Sequence, residues 1–316
     1  MLVTRGNVRV VILVPEFKKD YFCEVFKTIP DVEIEGVPQN ILPKRAYLFQ
    51  NIAFMLLNTK TTRLIRQSPR GYHDKPLTRM IVQTIAGVVG RWRSMHKLFR
   101  YISSQFSGGL IFDHYFEKYT PTLVFSTDVK NVFDTQLIIE AKKRGIQTIG
   151  MVRSWDYLTA KGAVRVVPDK LIVHNQIIKE EAKTYMDMKE DTIHVVGIPH
   201  FDPYTNVPRS SREEFFRRIG VDPQKRLILL APFGDKFANV DKQFFKILSD
   251  AIEEGTLPSD LEVLVRLPPG DTVETSTETF PHIFFDAPGV HFHGKERKAN
   301  EMSYEDILHL ANSLYY

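Results

Sequence analysis

Residues 152–204 alternate strand-like apolar runs with helix-like segments. A strand enters an irregular loop around Trp155 and Asp156, and a second strand, a helix and a third strand follow it. Strands that alternate with helices favour a parallel sheet with right-handed crossovers. Open sheets of this kind bind ligands at the carboxyl ends of their strands. The loops at that edge are therefore the first place to expect a functional site.

The same alternation predicts an N-terminal Rossmann-like domain over residues 1–200. Predicted strands cover 8–15, 32–37, 122–126, 147–152, 170–174 and 192–196, and predicted helices cover 43–57, 131–144 and 176–187. Gly145 follows the second of these helices, as glycines that end helices do. Residues 58–118 interrupt the alternation, and we interpret them as a basic helical insertion.

A second Rossmann-like domain is predicted over residues 210–316, after a proline-rich linker at 198–209. Ser211 and Glu214 have the spacing of a capping box, and the helix they open is expected to end at Gly220. Predicted strands cover 226–231, 261–267 and a segment near 290–293, and a helix at 240–253 is predicted to turn Phe244, Leu248 and Ala251 inward. Because about three strands form an unfinished sheet, we expect this domain to be truncated and the natural chain to continue.

Composition is that of a globular protein in a reducing compartment. Of 316 residues, 43% are hydrophobic and 25% are charged, which is ordinary for a folded domain. Cys23 is the one cysteine, so an internal disulfide is excluded and a cytoplasmic location is the simplest expectation. The sequence contains no Walker loop, no GxGxxG after the first strand, no CxxC and no GxSxG elbow, which disfavours NTPases, dehydrogenases, zinc ribbons and serine hydrolases.

Positive charge is concentrated between residues 60 and 100. Ten Lys and Arg residues and one acid, Asp74, give this segment a net charge of +9, so the rest of the chain carries −5. One interpretation is a surface for anions such as acidic lipid headgroups, which would place the protein on the inner face of the membrane. The other is a solvated helical face. The aromatic residues do not follow a known RNA-binding motif, and no nucleic-acid partner is predicted.

Four segments in order carry a family resemblance: SWDYLTAKG at 154–162, VGIPHFD at 196–202, APFGD at 231–235 and VRLPP at 265–269. The first is similar to the acceptor-side loop of CDP-glycerol glycerophosphotransferase-like proteins and related surface-polysaccharide transferases. The second resembles the end of the N-terminal domain in GT-B glycosyltransferases and in sugar-nucleotide 2-epimerases of the same fold. The last two resemble GT-B donor-side loops. The resemblance implies an α/β protein with two Rossmann-like domains of the GT-B type.

The chain departs from these patterns at two positions. Trp155-Asp156 stands where the glycerophosphotransferases carry a His-Gly pair, and Pro268 stands where an Arg-x-His-Pro pattern has its histidine. Because of these departures, the resemblance does not favour CDP-glycerol over a nucleotide-activated sugar as the donor.

Transfer from a nucleotide-activated donor needs a base for the acceptor hydroxyl and positive charge or helix N-termini for the leaving diphosphate. Asp156, beside an aromatic residue that could exclude water, is the candidate base. Trp155 could stack on a sugar ring, Lys161 could hold a phosphate, and Asp128 is a second acceptor-side candidate. The structural alternatives are an Asx turn or a helix cap for each Asp, packing for Trp155 and simple exposure for Lys161.

Two donor-side candidates lie in the second domain. Gly234 would allow a ligand to approach the backbone closely, or simply form a turn. Arg266 ends a strand where a phosphate fork is useful, or forms a surface ion pair. His291 and His293 share one face of a strand, but no third ligand is evident, so neither a metal nor a cofactor is predicted.

We therefore expect a transferase of surface-polysaccharide or lipid-linked glycan synthesis. It would move a sugar or glycerol phosphate from a nucleotide-diphosphate donor to an acceptor hydroxyl, with a lipid-linked acceptor held near residues 60–100. One alternative is a non-hydrolysing sugar-nucleotide 2-epimerase. The other is a non-catalytic protein that docks on a membrane or nucleic acid.

Overall fold

The computed structural model describes residues 8–67, 84, 87, 92–106, 109–202, 211–232, 240–267, 280–286, 290–293 and 296–299. The chain forms two compact units, Met1–Pro199 and His200–Tyr316. Both units carry helices and parallel strands. The α/β class and the parallel sheets expected from the sequence are confirmed.

Unit 1 begins with a two-stranded parallel sheet. Strands β1 (Val10–Pro15) and β2 (Val32–Val37) pair in register from Val10 with Val32 to Pro15 with Val37, and helix α1 (Lys19–Phe26) connects them. Among the described residues, the helices that follow include α2 (Lys44–Leu56), α3 (Lys60–Gln67), α4 (Arg93–Phe106) and α5 (Asp113–Tyr119). Helices α3 and α4 lie within the segment predicted as an insertion, and α5 ends one residue beyond it.

A four-stranded parallel sheet forms the centre of unit 1. Its strands, β3 (Leu123–Ser126), β4 (Gln147–Met151), β5 (Lys170–Val173) and β6 (Ile193–Val195), lie side by side in chain order. Helices α6 (Val132–Lys143), α7 (Tyr157–Ala160) and α8 (Gln176–Met186) connect them. The sequence predicted one Rossmann-like domain whose alternation is interrupted at residues 58–118, and the described strands on the two sides of that segment form two separate sheets. Phe112 and Phe116 pack with Val37 of β2 and Val124 of β3, so one core cluster includes residues of both sheets.

Local sequence signals explain the helix limits around this sheet. The Asn131 side chain accepts a hydrogen bond from the Phe133 N–H at 2.9 Å, and the Asn175 side chain accepts one from the Ile178 N–H at 3.0 Å. Such caps satisfy amide groups that the first helical turn leaves unpaired. Helix α6 follows β3 and helix α8 follows β5 along the chain, which places the amino ends of both helices at the carboxyl edge of the sheet.

Unit 2 contains a three-stranded parallel sheet in the order β7 (Arg226–Leu230), β8 (Leu261–Arg266) and β9 (Ile283–Asp286). Helix α9 (Arg212–Ile219) precedes it and α10 (Asp241–Glu253) connects β7 to β8. The predicted capping box of Ser211 and Glu214 is confirmed, as is the end of α9 at Gly220, whose φ is +73°. Strands β10 (Val290–His293) and β11 (Glu296–Ala299) form an antiparallel hairpin.

The strand predicted near 290–293 is confirmed as β10, but it pairs with 296–299, and the third strand of the parallel sheet is β9 at 283–286, which the sequence did not predict. The predicted inward face of α10 was wrong at Phe244, which is 50% exposed while Phe245 is 1% exposed. Leu248 packs against the core as predicted. Phe245 and Ile252 share one face of the helix two turns apart and pack with Val263 and Val265 of β8.

None of the described helices is both long and apolar enough to cross a bilayer. The spacing of Ser303 and Asp306 also predicts a capped helix near the end of the sequence, and these residues lie outside those that the structure describes.

Candidate functional site

Polar side chains gather in the loops at the carboxyl edge of the β3–β6 sheet. Asp128 follows β3 and is almost fully buried. Its Oδ1 atom accepts hydrogen bonds from the N–H groups of Lys130 at 3.0 Å and Asn131 at 2.9 Å, and also from the Tyr157 hydroxyl. Its Oδ2 atom lies 3.6 Å from Nη1 of Arg153. Asp128 thus joins the loop after β3 to the loop after β4.

Lys130 is the buried cation of this edge. It is 4% exposed, and its Nζ donates hydrogen bonds to the carbonyl oxygens of Tyr157 at 2.6 Å and Gly162 at 2.5 Å. Burial lowers the pKa of Lys130 to about 7, against the opposing charges of Asp128, Asp156 and Glu181. Because the side chain is enclosed and bound to backbone oxygens, we assign it a role in holding the loop rather than in contacting a substrate.

Asp134 is a carboxyl group of this edge whose pKa is raised. It lies in the first turn of α6, partly exposed, and its Oδ1 accepts a hydrogen bond from Ser126 Oγ at 3.0 Å. Burial raises the pKa of Asp134 to about 6, the hydrogen bond from Ser126 opposes that rise, and the negative charge of Asp128 adds to it. A carboxyl group with this pKa can accept or return a proton near neutral pH.

The loop after β4 presents Asp156 and Trp155. Asp156 is partly exposed, and its Oδ1 accepts a hydrogen bond from Ser154 Oγ at 2.6 Å. Its side chain does not cap α7, although it occupies the residue before that helix. The Trp155 side chain is 79% exposed, so it does not shield Asp156 from water. Lys161 is exposed.

The end of this loop is fixed on helix α2. The Ala163 N–H donates a hydrogen bond to the Ala53 carbonyl at 2.7 Å. Gly162 has a φ of +92°, and a Cβ atom placed on it would lie 2.7 Å from the Cα of Phe54. On the far side of the cluster, the Glu181 side chain is partly buried, which raises its pKa, and its Oε2 has no hydrogen-bond partner among the described residues.

The predicted site residues divide between the two units. Asp128, Trp155, Asp156 and Lys161 all lie in the loops beyond β3 and β4 of unit 1. Arg266 is the last residue of β8 in unit 2, where its backbone pairs in register with Asp286. Gly234 lies outside the described residues. The donor-side roles of Gly234 and Arg266 therefore stay predictions.

Sequence reasoning missed Lys130 and Asp134. The sequence did contain a signal for these two residues. Four polar residues follow β3 within eight residues of Ser126, where that strand ends: Asp128, Lys130, Asn131 and Asp134. The partners of Lys130, however, are backbone oxygens 27 and 32 residues further along the chain, and no local pattern predicts that pairing.

Among the side chains that the structure describes, no three His, Cys, Asp or Glu residues converge on a possible metal position.

No protein-family model matches the chain. Over 117 residues it is 30% identical to a UDP-N,N'-diacetylbacillosamine 2-epimerase (hydrolyzing) of Legionella pneumophila. The match covers 36% of this chain and spans 30% of the relative. A solved structure, the S. aureus MnaA–UDP co-structure, has a TM-score of 0.42 at 11% sequence identity, with coverage of 85% of this chain and 69% of that one.

Proposed function

We propose that the protein is an enzyme that acts on a UDP-activated sugar. The observation that carries this proposal is the cluster of Asp128, Asp134 and Asp156 at the carboxyl edge of a parallel sheet, where open α/β folds bind their ligands. The identity with a UDP-sugar 2-epimerase over 117 residues supports the substrate class. The resemblance of the loop sequences to GT-B enzymes and 2-epimerases supports it independently.

Inversion of the sugar at C2 is the reaction we favour. It requires one group to remove the C2 proton while the C1–O bond to UDP breaks, and one to protonate C2 from the opposite face while UDP or water adds at C1. Asp134 is suited to the first or second role because its pKa of about 6 keeps both protonation states populated near neutral pH. Asp156 is the other partly exposed carboxyl group of the edge. Asp128 is occupied by Tyr157 and two backbone N–H groups, which makes it a positioning residue.

Sugar transfer to an acceptor hydroxyl is the second candidate. It is favoured by Trp155, because an exposed indole next to a carboxylate provides a stacking surface for a sugar ring beside a base. In this reaction Asp156 takes the hydroxyl proton, and positive charge or a helix N-terminus stabilises the leaving diphosphate. A lipid-linked acceptor and a peripheral membrane location belong to this second candidate.

One experiment separates these reactions. The full chain is incubated with UDP-activated acetamido sugars in D₂O, with and without sugar acceptors, and the products are followed by NMR. Deuterium at C2 together with free UDP identifies hydrolysing epimerisation, and deuterium in an intact UDP-sugar identifies the non-hydrolysing reaction. A glycosylated acceptor without deuterium identifies transfer.

Asp134→Asn is the diagnostic variant, and Asp191→Asn, at an exposed position, is its matched control. We expect the first variant to lose at least about 100-fold in turnover and the second to keep wild-type activity. Absence of both UDP binding and turnover with every UDP-sugar would refute the proposal.

A further inference from the structure

A cationic cavity lies in unit 1 away from the cluster just described. Its volume is about 400 Å³. Helix α4, the end of α6 and the segment before β5 line it, with Arg100, Lys142, Lys143 and Arg165 as its charged residues. Helix α6 has 12 residues and is therefore about 18 Å long. The cluster lies at the start of this helix and the cavity at its end.

Arg165 is the least exposed of the charged residues that line the cavity. The residue is 2% exposed, whereas Tyr101 at the rim is 64% exposed. Its Nε atom lies 3.2 Å from Ser103 Oγ, and neither Nη atom has a hydrogen-bond partner among the described residues. Burial lowers the pKa of Arg165 to about 10. The guanidinium thus donates one hydrogen bond, to Ser103, and two buried Nη groups without an acceptor are rare in proteins because their desolvation is uncompensated.

The other cations of the cavity differ in their partners. Arg100 forms an ion pair with Asp187, and Lys142 forms one with Asp169. Lys143 is exposed, and no ion pair is found for it among the described residues. The lining that the structure describes contains no carboxylate, and two of its four cations, Arg165 and Lys143, form no ion pair with a described residue.

We propose that this cavity binds a phosphoryl group, with the Arg165 guanidinium as its principal hydrogen-bond donor and Lys143 as a second. Arginine presents its N–H groups in a planar fork that matches two phosphate oxygens at once. Ile139, Val166 and Val167 supply an apolar wall, which suits a phosphorylated small molecule or a phospholipid headgroup better than a bare metal or an organic cation. The inference goes beyond the proposed function, because it concerns a second site in the same unit.

The test measures how Arg165→Met changes the response of the full chain to phosphate. The midpoint temperature of thermal unfolding is measured at increasing concentrations of inorganic phosphate. Chloride solutions of the same ionic strength serve as the reference. A ligand that binds the folded state raises the midpoint temperature until its site is saturated. We expect the wild type to show this rise and Arg165→Met to lose it. Lys143→Met, at an exposed position that leaves folding intact, should weaken the apparent affinity about tenfold.

Lys189→Met is the matched control, because Lys189 is an exposed cation of unit 1 outside the cavity. A second arm measures flotation with vesicles of phosphatidic acid in phosphatidylcholine. Phosphate-dependent stabilisation that Arg165→Met removes identifies a soluble phosphorylated ligand. Vesicle binding that Arg165→Met removes, without a response to free phosphate, identifies a lipid headgroup. If Arg165→Met changes neither response, or if Lys189→Met changes them equally, no phosphoryl site exists here.

Discussion

The Nζ atom of Lys130 lies 2.5 Å from the carbonyl oxygen of Gly162, so a buried ammonium group binds the last residue of the loop that carries Asp156. A second hydrogen bond, to the carbonyl oxygen of Tyr157, holds the middle of the same loop. Lys130 itself follows β3. One side chain therefore fixes the geometry between the loops of two neighbouring strands, and with it the spacing of Asp128 and Asp156.

The first prediction concerns pH and Lys130. Its pKa is about 7 in the folded protein and ordinary, near 10.5, in the unfolded chain. Between these values the unfolded state binds the extra proton, so the free energy of unfolding rises with pH. From pH 7 to pH 9 this rise amounts to about 2 kcal/mol. Below pH 7 both states are protonated and the contribution is constant.

Lys130→Met should remove this rise, which urea unfolding of wild type and variant at pH 7, 8 and 9 would measure. Lys170→Met, at an exposed position of β5, is the control and should retain the wild-type slope. Parallel pH profiles for wild type and Lys130→Met would show that Lys130 stays charged in the fold.

The second prediction concerns Gly162, where conformation and space both exclude a side chain. Alanine at a φ of +92° is strained, and its Cβ would meet the backbone of Phe54 at 2.7 Å. We expect Gly162→Ala to lower the free energy of unfolding by about 2–4 kcal/mol. Chemical denaturation provides the measurement.

Gly145→Ala separates these two causes. Gly145 also has a positive φ, +71°, but nothing lies within 4 Å of its added Cβ. Only the conformational cost of about 1 kcal/mol is expected there. Equal losses for both variants would show that the contact with Phe54 relaxes freely.

The third prediction concerns Glu140, a fully buried carboxylate on α6. Its Oε1 accepts a hydrogen bond from the Ile111 N–H at 2.8 Å, and its Oε2 accepts one from the Phe112 N–H at 2.9 Å. Glu140→Gln would place an NH₂ group opposite one of these backbone N–H groups, and that N–H group would lose its acceptor. The expected cost is about 2–3 kcal/mol of unfolding free energy.

Glu180→Gln is the matched control for this change, because Glu180 is an exposed residue whose ion pair with Lys183 lies on the surface. We expect it to alter stability by less than about 0.5 kcal/mol. A Glu140→Gln variant as stable as the wild type would mean that the amide finds other acceptors after the substitution.

Particular residues show which parts of this structure a sequence can predict. The helices at 132–143 and 176–186 were predicted within one residue at each end, and Gly145, which follows the first of them, is a local signal for its end. Strand β9 was missed because four residues within a long irregular stretch carry too little periodicity. Helix α10 was found, but its inward face was shifted by one residue, since Phe244 and Phe245 are equally apolar and only the packing against β8 selects Phe245.

In the candidate site, too, some features could be predicted from the sequence and others could not. Asp128 and Asp156 were predicted as loop carboxylates beyond strands, which follows from the general rule for open sheets. The enclosure of Lys130 depends on carbonyl groups of a distant loop, and the raised pKa of Asp134 depends on burial that only the folded chain provides. Neither the enclosure of Lys130 nor the raised pKa of Asp134 can be predicted from neighbouring residues in the sequence.

The fourth prediction distinguishes Asp134 from Asp156 as the group that sets the acid limb of the pH–rate profile. Ser126 donates a hydrogen bond to Asp134, and Ser154 donates one to Asp156. A hydrogen bond to a carboxylate favours its charged form, so Ser126→Ala should raise the pKa of Asp134 further. If Asp134 is the base, this variant moves the acid limb to higher pH, with about a two- to threefold loss of rate near pH 6 and little change at pH 8.

Ser154→Ala is the matched comparison, since it deletes the equivalent hydroxyl beside the other carboxylate. With Asp134 as the base, the Ser154→Ala profile should superimpose on that of the wild type. A shift in Ser154→Ala with an unchanged Ser126→Ala profile would instead assign the base to Asp156, as the sequence suggested. Carboxyl-carbon NMR titration of both aspartates in the wild type and the two variants checks the assignment without reference to turnover, because each hydroxyl deletion acts on the carboxyl group that it contacts.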